Sequence, residues 1–316
     1  MHDAKTNYLK FGMFLFFLLS IFAVQPVLAA DIYVDADNTS GIEDGSAENP
    51  YHTIGAALDK AGANPETSRQ IAVKPGTYAE NIELPDNTTL SGDNRDTVII
   101  NREDLEGNTV TMGNNCTIEN LTVKGGNYGL VVPALKKSVV RKCTVEKTKR
   151  IGIWIKQSNT LPTNTVEIWD STISNNYKKG MFAETRFIYI INNHFDNNGE
   201  EGVDLRSKMR GVISGNAIES NGEGGIELEI RNTAVEISSN SLNNNRSNGI
   251  TLNNRTHVGG KIIIKGNTIE NNYKYGIRCT GSKSWPKKLW KKSIKNSKNS
   301  ITRNVRKNIS KSCNRK

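Results

Sequence analysis

The chain has few aromatic residues, 7% of 316, and only 36% of its residues are hydrophobic. That is lean for a compact globule of this length and suits a thin core drawn out along a solenoid, where each repeat supplies a few inward side chains. Long apolar runs are scarce too. The clearest covers residues 11–24, behind Lys5 and Lys10 and ahead of the small residues Ala29 and Ala30. This is the layout of a secretory signal peptide, and the run is short for a membrane span. We therefore expect residues 1–30 to be removed, leaving a protein that is secreted, periplasmic or cell-surface, with no integral membrane segment. An uncleaved anchor is the alternative.

Acidic residues are missing from one stretch altogether. Residues 281–316 hold 13 Lys and Arg and no Asp or Glu. With that tail and the net +1 of residues 1–30 set aside, the formal charge of +10 becomes −4 for residues 31–280. The basicity belongs to an appendage, so a nucleic-acid partner is not expected except through the tail. Histidine and cysteine are sparse, four of each. His52, His194 and His257 stand alone, with no second ligand at metal spacing, and read as surface residues. The acidic opening Asp35, Asp37, Glu43 and Asp44 lacks the order of an EF-hand, and calcium held in that segment is the one metal reading it offers.

What is abundant is Asn and Gly, and they repeat. A Gly followed by an apolar residue recurs at Gly129, Gly152, Gly180, Gly202, Gly225, Gly249 and Gly276, at intervals of 23, 28, 22, 23, 24 and 27 residues. One residue after the glycine stand Leu130, Ile153, Met181, Val203, Ile226, Ile250 and Ile277; three after it stand Val132, Ile155, Ala183, Leu205, Leu228, Leu252 and Cys279. Apolar positions two apart imply a strand with one face inward. Further apolar pairs such as Val166/Ile168 and Ile188/Ile190, then single residues such as Ile173 and Phe195, imply three short strands per coil. Four before the glycine come Asn176, Asn198, Asn221, Asn245 and Asn272, and nine before it Asn193, Asn216, Asn240 and Asn267. Asn tolerates a left-handed backbone, and stacked copies can bond one another along the axis. The four cysteines fall at unrelated places in this alignment, so mostly free thiols are expected.

The pattern Gly-Ile-x-Leu with Asn-x-Ile-x-x-Asn resembles the right-handed parallel β-helix of the pectin-lyase-like superfamily over roughly residues 70–280. The segments Ile32-Tyr33-Val34-Asp35 and Ile71-Ala72-Val73-Lys74-Pro75-Gly76-Thr77-Tyr78 resemble the start of such secreted proteins. The resemblance implies an all-β, single-stranded right-handed parallel β-helix. Residues 31–70 would form an N-terminal cap with a short helix behind Thr53, burying Ile54, Ala57, Leu58 and Ala61, and residues 71–280 the coils. Residues 281–316 then form a basic tail without coil periodicity. It is a disordered arm, an amphipathic cap around Ile294 and Ile301, or the product of a disrupted reading frame.

Enzymes of this superfamily place their sites on the outer face of one sheet. Three outward columns follow the glycines: Trp154, Phe182, Asp204, Glu227 and Thr251; Lys156, Glu184, Arg206, Glu229 and Asn253; Ser158, Arg186, Lys208, Arg231 and Arg255. Paired carboxylates at rung spacing can share a proton, hold calcium or act as acid and base. Asp204, Glu227, Glu229, Arg206 and Arg231 are the candidate catalytic residues, with Trp154, Lys156, Phe182, Glu184, Arg186, Lys208 and Arg255 as candidate substrate-binding residues. Alternating Glu and Arg rows also keep a sheet surface soluble and in register with no ligand. No catalytic set carries over from the superfamily. Ile168-Trp169-Asp170-Ser171 lacks the His of the pectate-lyase motif, and the polygalacturonase and mannuronan-epimerase motifs are absent. The expectation is a carbohydrate-active or carbohydrate-binding monomer acting on acidic polysaccharide, as a lyase or epimerase rather than a hydrolase. A non-catalytic surface module is the alternative.

Overall fold

The computed structural model describes residues 30–64, 66–134, 137–157, 165–254, 261–281 and 297–314. The expected signal peptide lies outside them. Among the described residues, three parallel sheets of ten strands each form one right-handed β-helix, and every strand pairs with its counterpart one coil away. No helix there is long and apolar enough to cross a membrane.

The inward columns stack in register. In sheet 1, Ile71, Leu90, Ile118, Val140, Ile168, Ile190, Ile213, Ile237 and Ile264 lie directly over one another. Sheet 2 contributes Val145, Ile173, Phe195, Ile218, Leu242 and Ile269, one per short strand, and sheet 3 contributes Leu130, Ile153, Met181, Val203, Ile226, Ile250 and Ile277. All are buried. Each side chain removed from water is worth about 1.5–3 kcal/mol, so the core is strong although thin.

Two buried Asn rows brace the turns. Asn176, Asn198, Asn221, Asn245, Asn272 and Asn304 each pass an Nδ2 hydrogen to the Oδ1 of the next, at 2.9–3.0 Å. Asn193, Asn216, Asn240, Asn267 and Asn299 do the same at 2.8–3.0 Å. The left-handed residue is not the ladder Asn but the one before it, at Asn175, Asn197, Ser220, Asn244 and Asn271, with φ between 52° and 56°. The repeating glycine has a steric cause instead. A Cβ on Gly180 would lie 2.6 Å from the Gly202 carbonyl oxygen, and one on Gly225 2.8 Å from that of Gly249. Coils stack this closely only where no side chain intervenes.

At the N-terminal end, strand Ile32–Val34 opens sheet 1 and helix Ile54–Gly62 buries Ile54, Ala57, Leu58 and Ala61 behind Thr53, whose hydroxyl accepts from Ala56 N–H. Glu80 accepts from the free Ile54 and Gly55 N–H groups at 2.9 and 2.7 Å, a carboxylate placed at the positive end of the helix.

Two expectations for the C-terminal end are corrected. Strands Ser300–Thr302 and Lys307–Ile309 add one more coil, with Ile301 under Ile269 and Ile309 under Ile277. Asn299 and Asn304 extend both Asn rows. The repeat is masked in the sequence because Asn308 stands where the glycine would be. Ile294 lies outside the described residues. Cysteine is the second correction: Cys279 and Cys313 form a disulfide, because Cys279 points inward at the open end and the turn Lys311–Asn314 folds Cys313 beneath it. Cys116 and Cys143 are buried free thiols.

Candidate functional site

Sheet 3 strands Lys179–Ala183, Val203–Leu205 and Ile226–Glu229 carry the site on their outer face. Register sets Trp154, Phe182, Asp204, Glu227 and Thr251 in one row, as the alternation implies. Asp204 lies at its centre and is 0% exposed, buried under neighbouring side chains although it faces away from the core. Its Oδ2 receives Lys179 Nζ at 2.8 Å and Arg206 Nη2 at 2.7 Å. Its Oδ1 is buried and has no hydrogen-bond partner, an uncommon state for a carboxylate oxygen.

Around this carboxylate the charges interlock. Lys179 also contacts Glu200 at 3.2 Å and Glu201 more closely, and Arg206 reaches Glu227 at 3.5 Å. Burial raises the Asp204 carboxyl above its ordinary range and outweighs the two cations. Burial also lowers the Lys179 ammonium, but Asp204 and Glu201 overcome this and hold it above its usual value. A hydrogen bond shared with Glu201 pushes Glu223 up to about 7. Burial would raise Glu201, yet the Lys179 hydrogen bond prevails and lowers it. Glu227 is raised by burial and by the neighbouring Glu201 and Asp204 charges. One carboxyl that holds a proton near neutrality, Glu223, and a second whose affinity for protons is raised, Glu227, thus flank one fully buried carboxylate.

Toward the N-terminal coils the same face becomes aromatic and cationic. The Tyr128 and Trp154 rings lie 4.6 Å apart between centroids. Arg150 covers Tyr128 at 5.6 Å, Lys156 covers Trp154 at 5.0 Å and Arg206 covers Phe182 at 5.8 Å, one cation–aromatic pair per coil. A shallow depression lined by Asn175, Asn176, Tyr177, Lys178, Asn197, Gly199 and Glu200 opens beside the carboxylates.

Of the residues singled out from the sequence, Asp204, Arg206, Glu227, Phe182, Trp154 and Lys156 share this surface. Glu184, Lys208, Glu229 and Arg231 form no ion pair among the described residues. Arg186 was expected to face outward and is instead buried, donating from Nη1 to the carbonyls of Pro133 at 2.9 Å and Lys156 at 3.2 Å. The cause is Thr185, whose φ of 51° turns the chain and ends the alternation. Arg255 lies outside the described residues, as do Ser158 and His257.

Lys179, Glu200, Glu201 and Glu223 were missed. Counting alternation back through the glycine turns the residue before it inward, but the chain bends at the glycine, so Lys179 and Glu201 face out. Aligning the two residues ahead of each glycine reveals Arg150-Ile151, Lys178-Lys179, Glu200-Glu201 and Glu223-Gly224 as charged columns. His52 pairs with Glu43 at 2.8 Å and His194 with Glu219 at 2.9 Å, both on the surface. Asp35 binds Lys74, Glu43 binds His52 and Asp44 accepts from Ser46 N–H, so three of the four acids of the opening are engaged locally. Among the described residues no group of three or more His, Cys, Asp or Glu has the arrangement of a metal site.

The family model described as the right handed beta helix region matches residues 79–204 and 162–298. The A-module of the Azotobacter vinelandii mannuronan C-5 epimerase AlgE4 shares 15% identity over 88% of this chain and 97% of its own, with a TM-score of 0.54. The Dettilon tailspike protein gives 15% identity and a TM-score of 0.56 over 78% of this chain, which spans 54% of the tailspike. The pectate lyase Pel9A gives 14% and 0.50 over 88% of this chain and 76% of its own. None of the curated proteins matches the chain by sequence. At these identities the likeness concerns the fold.

Proposed function

The chain belongs to the right-handed β-helix family, and on that premise we propose that it binds an acidic polysaccharide along the outer face of sheet 3 and moves a proton on it, as a lyase or epimerase. The carrying observation is Asp204: a wholly buried carboxylate between Lys179 and Arg206, with one oxygen unpartnered, near Glu223, whose carboxyl is pushed up to about 7, and Glu227, whose carboxyl is raised by burial. An unsatisfied buried oxygen costs about 1–3 kcal/mol, a cost that a ligand hydroxyl reaching Asp204 Oδ1 would relieve. Sugar rings stack on Tyr128, Trp154 and Phe182 while the cation over each ring pairs with a uronate carboxylate. Glu227 and Glu223 supply the groups that take or give a proton next to that carboxylate. The epimerase and the lyase that share the fold are named for mannuronan and pectate, both uronate polymers, which supports the substrate class. Export of the mature chain, suggested by residues 1–30, would bring it to such polymers.

The test is a panel of polygalacturonate and alginate. Absorbance of unsaturated uronate products reports lyase action, proton NMR of C5 configuration reports epimerisation, and affinity electrophoresis reports binding. Wild type should bind and convert one polymer, and the Asp204→Asn/Glu227→Gln variant should lose conversion. No binding and no conversion on any polymer would sink the reading. The competing reading is a non-catalytic surface module. It is favoured by the ion pairs from Lys178 and Lys179 to Glu200 and from Arg206 to Glu227, which join neighbouring coils without a ligand. It requires the double variant to behave as wild type toward every polymer.

A further inference from the structure

The rows that form the carboxylate site continue toward the C-terminus and change sign. Two residues ahead of the glycine, Arg150, Lys178, Glu200, Glu223, Ser247, Lys274 and Arg306 follow one another, each N–H bonded to the carbonyl of the residue one coil back. In the adjoining rows Tyr275 is paired with Lys307, and Thr251 with Arg278. Lys274, Arg278, Arg306 and Lys307 thus gather on two adjacent rungs, Arg278 in the row of Asp204 and Glu227, and Lys274 and Arg306 in the row of Glu200 and Glu223. Arg278, Arg306 and Lys307 are exposed and Lys274 is half-buried.

None of these four cations is paired with a carboxylate among the described residues, whereas Lys265 and Arg303 nearby are bonded to Glu236 and Glu270. The cause lies in the sequence: after Glu270 the chain contains no Asp or Glu at all. Upstream cations such as Lys178, Lys179 and Arg206 are each met by an acid one coil away or on their own strand. The last two coils keep four cations uncompensated on one face with no acid among them to meet them, and the Cys279–Cys313 disulfide holds that end of the solenoid in place.

We propose that Lys274, Arg278, Arg306 and Lys307 form a second, non-catalytic subsite that grips the acidic polysaccharide downstream of the carboxylate site. This rests on the substrate class proposed above. The rungs repeat at about 4.8 Å, so one extended chain lying along the helix axis meets cations at each end of the face, Arg150, Lys156 and Lys178 on one side and the ladder on the other, with the carboxyls of the site between. A nucleic-acid duplex is the poorer fit. It draws its affinity from about 6–10 phosphate contacts, and Glu200, Glu201 and Glu223 would stand under its next phosphates.

The experiment measures binding of the full chain to polygalacturonate, alginate and a DNA duplex across a salt series. It compares wild type, a ladder variant (Lys274→Ser, Arg278→Thr, Arg306→Ser, Lys307→Asn) and a charge-keeping variant (Lys274→Arg, Lys307→Arg). The ladder variant should bind the uronate polymer roughly tenfold more weakly, with a flatter salt dependence, and the charge-keeping variant should match wild type. The altered side chains lie on the surface, and an unchanged melting temperature verifies the fold. Equal affinity and equal salt slope in wild type and ladder variant overturn the subsite while leaving the substrate reading intact. Absence of uronate binding by wild type overturns the substrate reading, and the subsite with it. Loss of duplex binding with uronate binding unchanged assigns the ladder to nucleic acid and overturns the proposal.

Discussion

Lys179 Nζ lies 2.8 Å from Oδ2 of Asp204, one coil away, and the carboxylate it meets is fully buried. Removing one partner of such a pair leaves an uncompensated charge, at a cost of about 3–5 kcal/mol, while removing both charges together costs far less. Arg206 still contacts Asp204, so Lys179→Met should destabilise by about 3 kcal/mol, at the lower end of that range. The Lys179→Met/Asp204→Asn double variant should recover part of the loss, the remainder falling on buried Glu201, which also loses its lysine. A double-mutant cycle by denaturant unfolding measures this, and strictly additive losses would show that the pair is not coupled.

Asn221 is held at four points. Its Nδ2 donates to Phe195 O at 3.1 Å and Asn245 Oδ1 at 3.0 Å, and its Oδ1 accepts from Asn198 N and Nδ2 at 3.1 and 3.0 Å. Asn221→Ala strands buried partners above and below it and should cost about 2–3 kcal/mol. Asn221→Asp should cost more, because a carboxylate cannot donate and would face the Phe195 carbonyl. A melting-temperature series across both Asn rows checks the order. An Asp variant as stable as the Ala variant would contradict the donor role.

The fold was legible because period and register are properties of single columns: Ile226 under Val203 and Asn221 under Asn198 need no knowledge of any other part of the chain. The site was legible only in part, because it depends on where the backbone departs from alternation. Asp204 and Glu227 were found two residues past the glycine, inside a regular strand. Lys179 and Glu201 sit before the bend at the glycine. Arg186 follows the left-handed Thr185, a conformation that threonine rarely adopts and that its letter does not announce. The last coil was hidden because Asn308 replaces the glycine and residues 282–296 separate it from its neighbour.

The stability of the coils around the site should fall as pH rises from about 4.5 to about 7. The Glu201 hydrogen bond raises Glu223 from 4.5 to about 7, so the folded state binds a proton more tightly than the unfolded chain across that window. This contribution is complete below 4.5 and lost as pH rises through 7. Burial raises Asp204 and Glu227 and gives the same sign. Glu201 is lowered on balance, so its contribution is present above 4.5 and fades only at lower pH. Melting temperatures from pH 4.5 to 8 for wild type and Glu223→Gln test the sign. The variant should show a flatter dependence, and a wild-type curve that climbs through this window with the variant parallel to it would refute the shared proton.

The Cys279–Cys313 bond closes a loop of 34 residues and ties the turn Lys311–Asn314 to strand Tyr275–Thr280. A loop of that size corresponds to about 4 kcal/mol of stabilisation. In a solenoid such stabilisation is felt mainly by adjacent repeats, because each coil contacts only its neighbours. Reduction, or Cys313→Ser, should therefore loosen the terminal coil and leave the carboxylate site unchanged. The buried free thiols Cys116 and Cys143 do not confuse the comparison, since Cys313→Ser reproduces the effect without reductant. Trypsin reads the result directly: Arg303, Arg306 and Lys307 lie in the terminal coil, whereas Lys178 and Lys179 lie beside the site. Cleavage at the first group should quicken several-fold on reduction, while cleavage at the second should not. Equal acceleration at both would mean that the bond stabilises the whole helix, and no acceleration at either would mean that Ile301, Ile309 and Asn304 hold the coil without it.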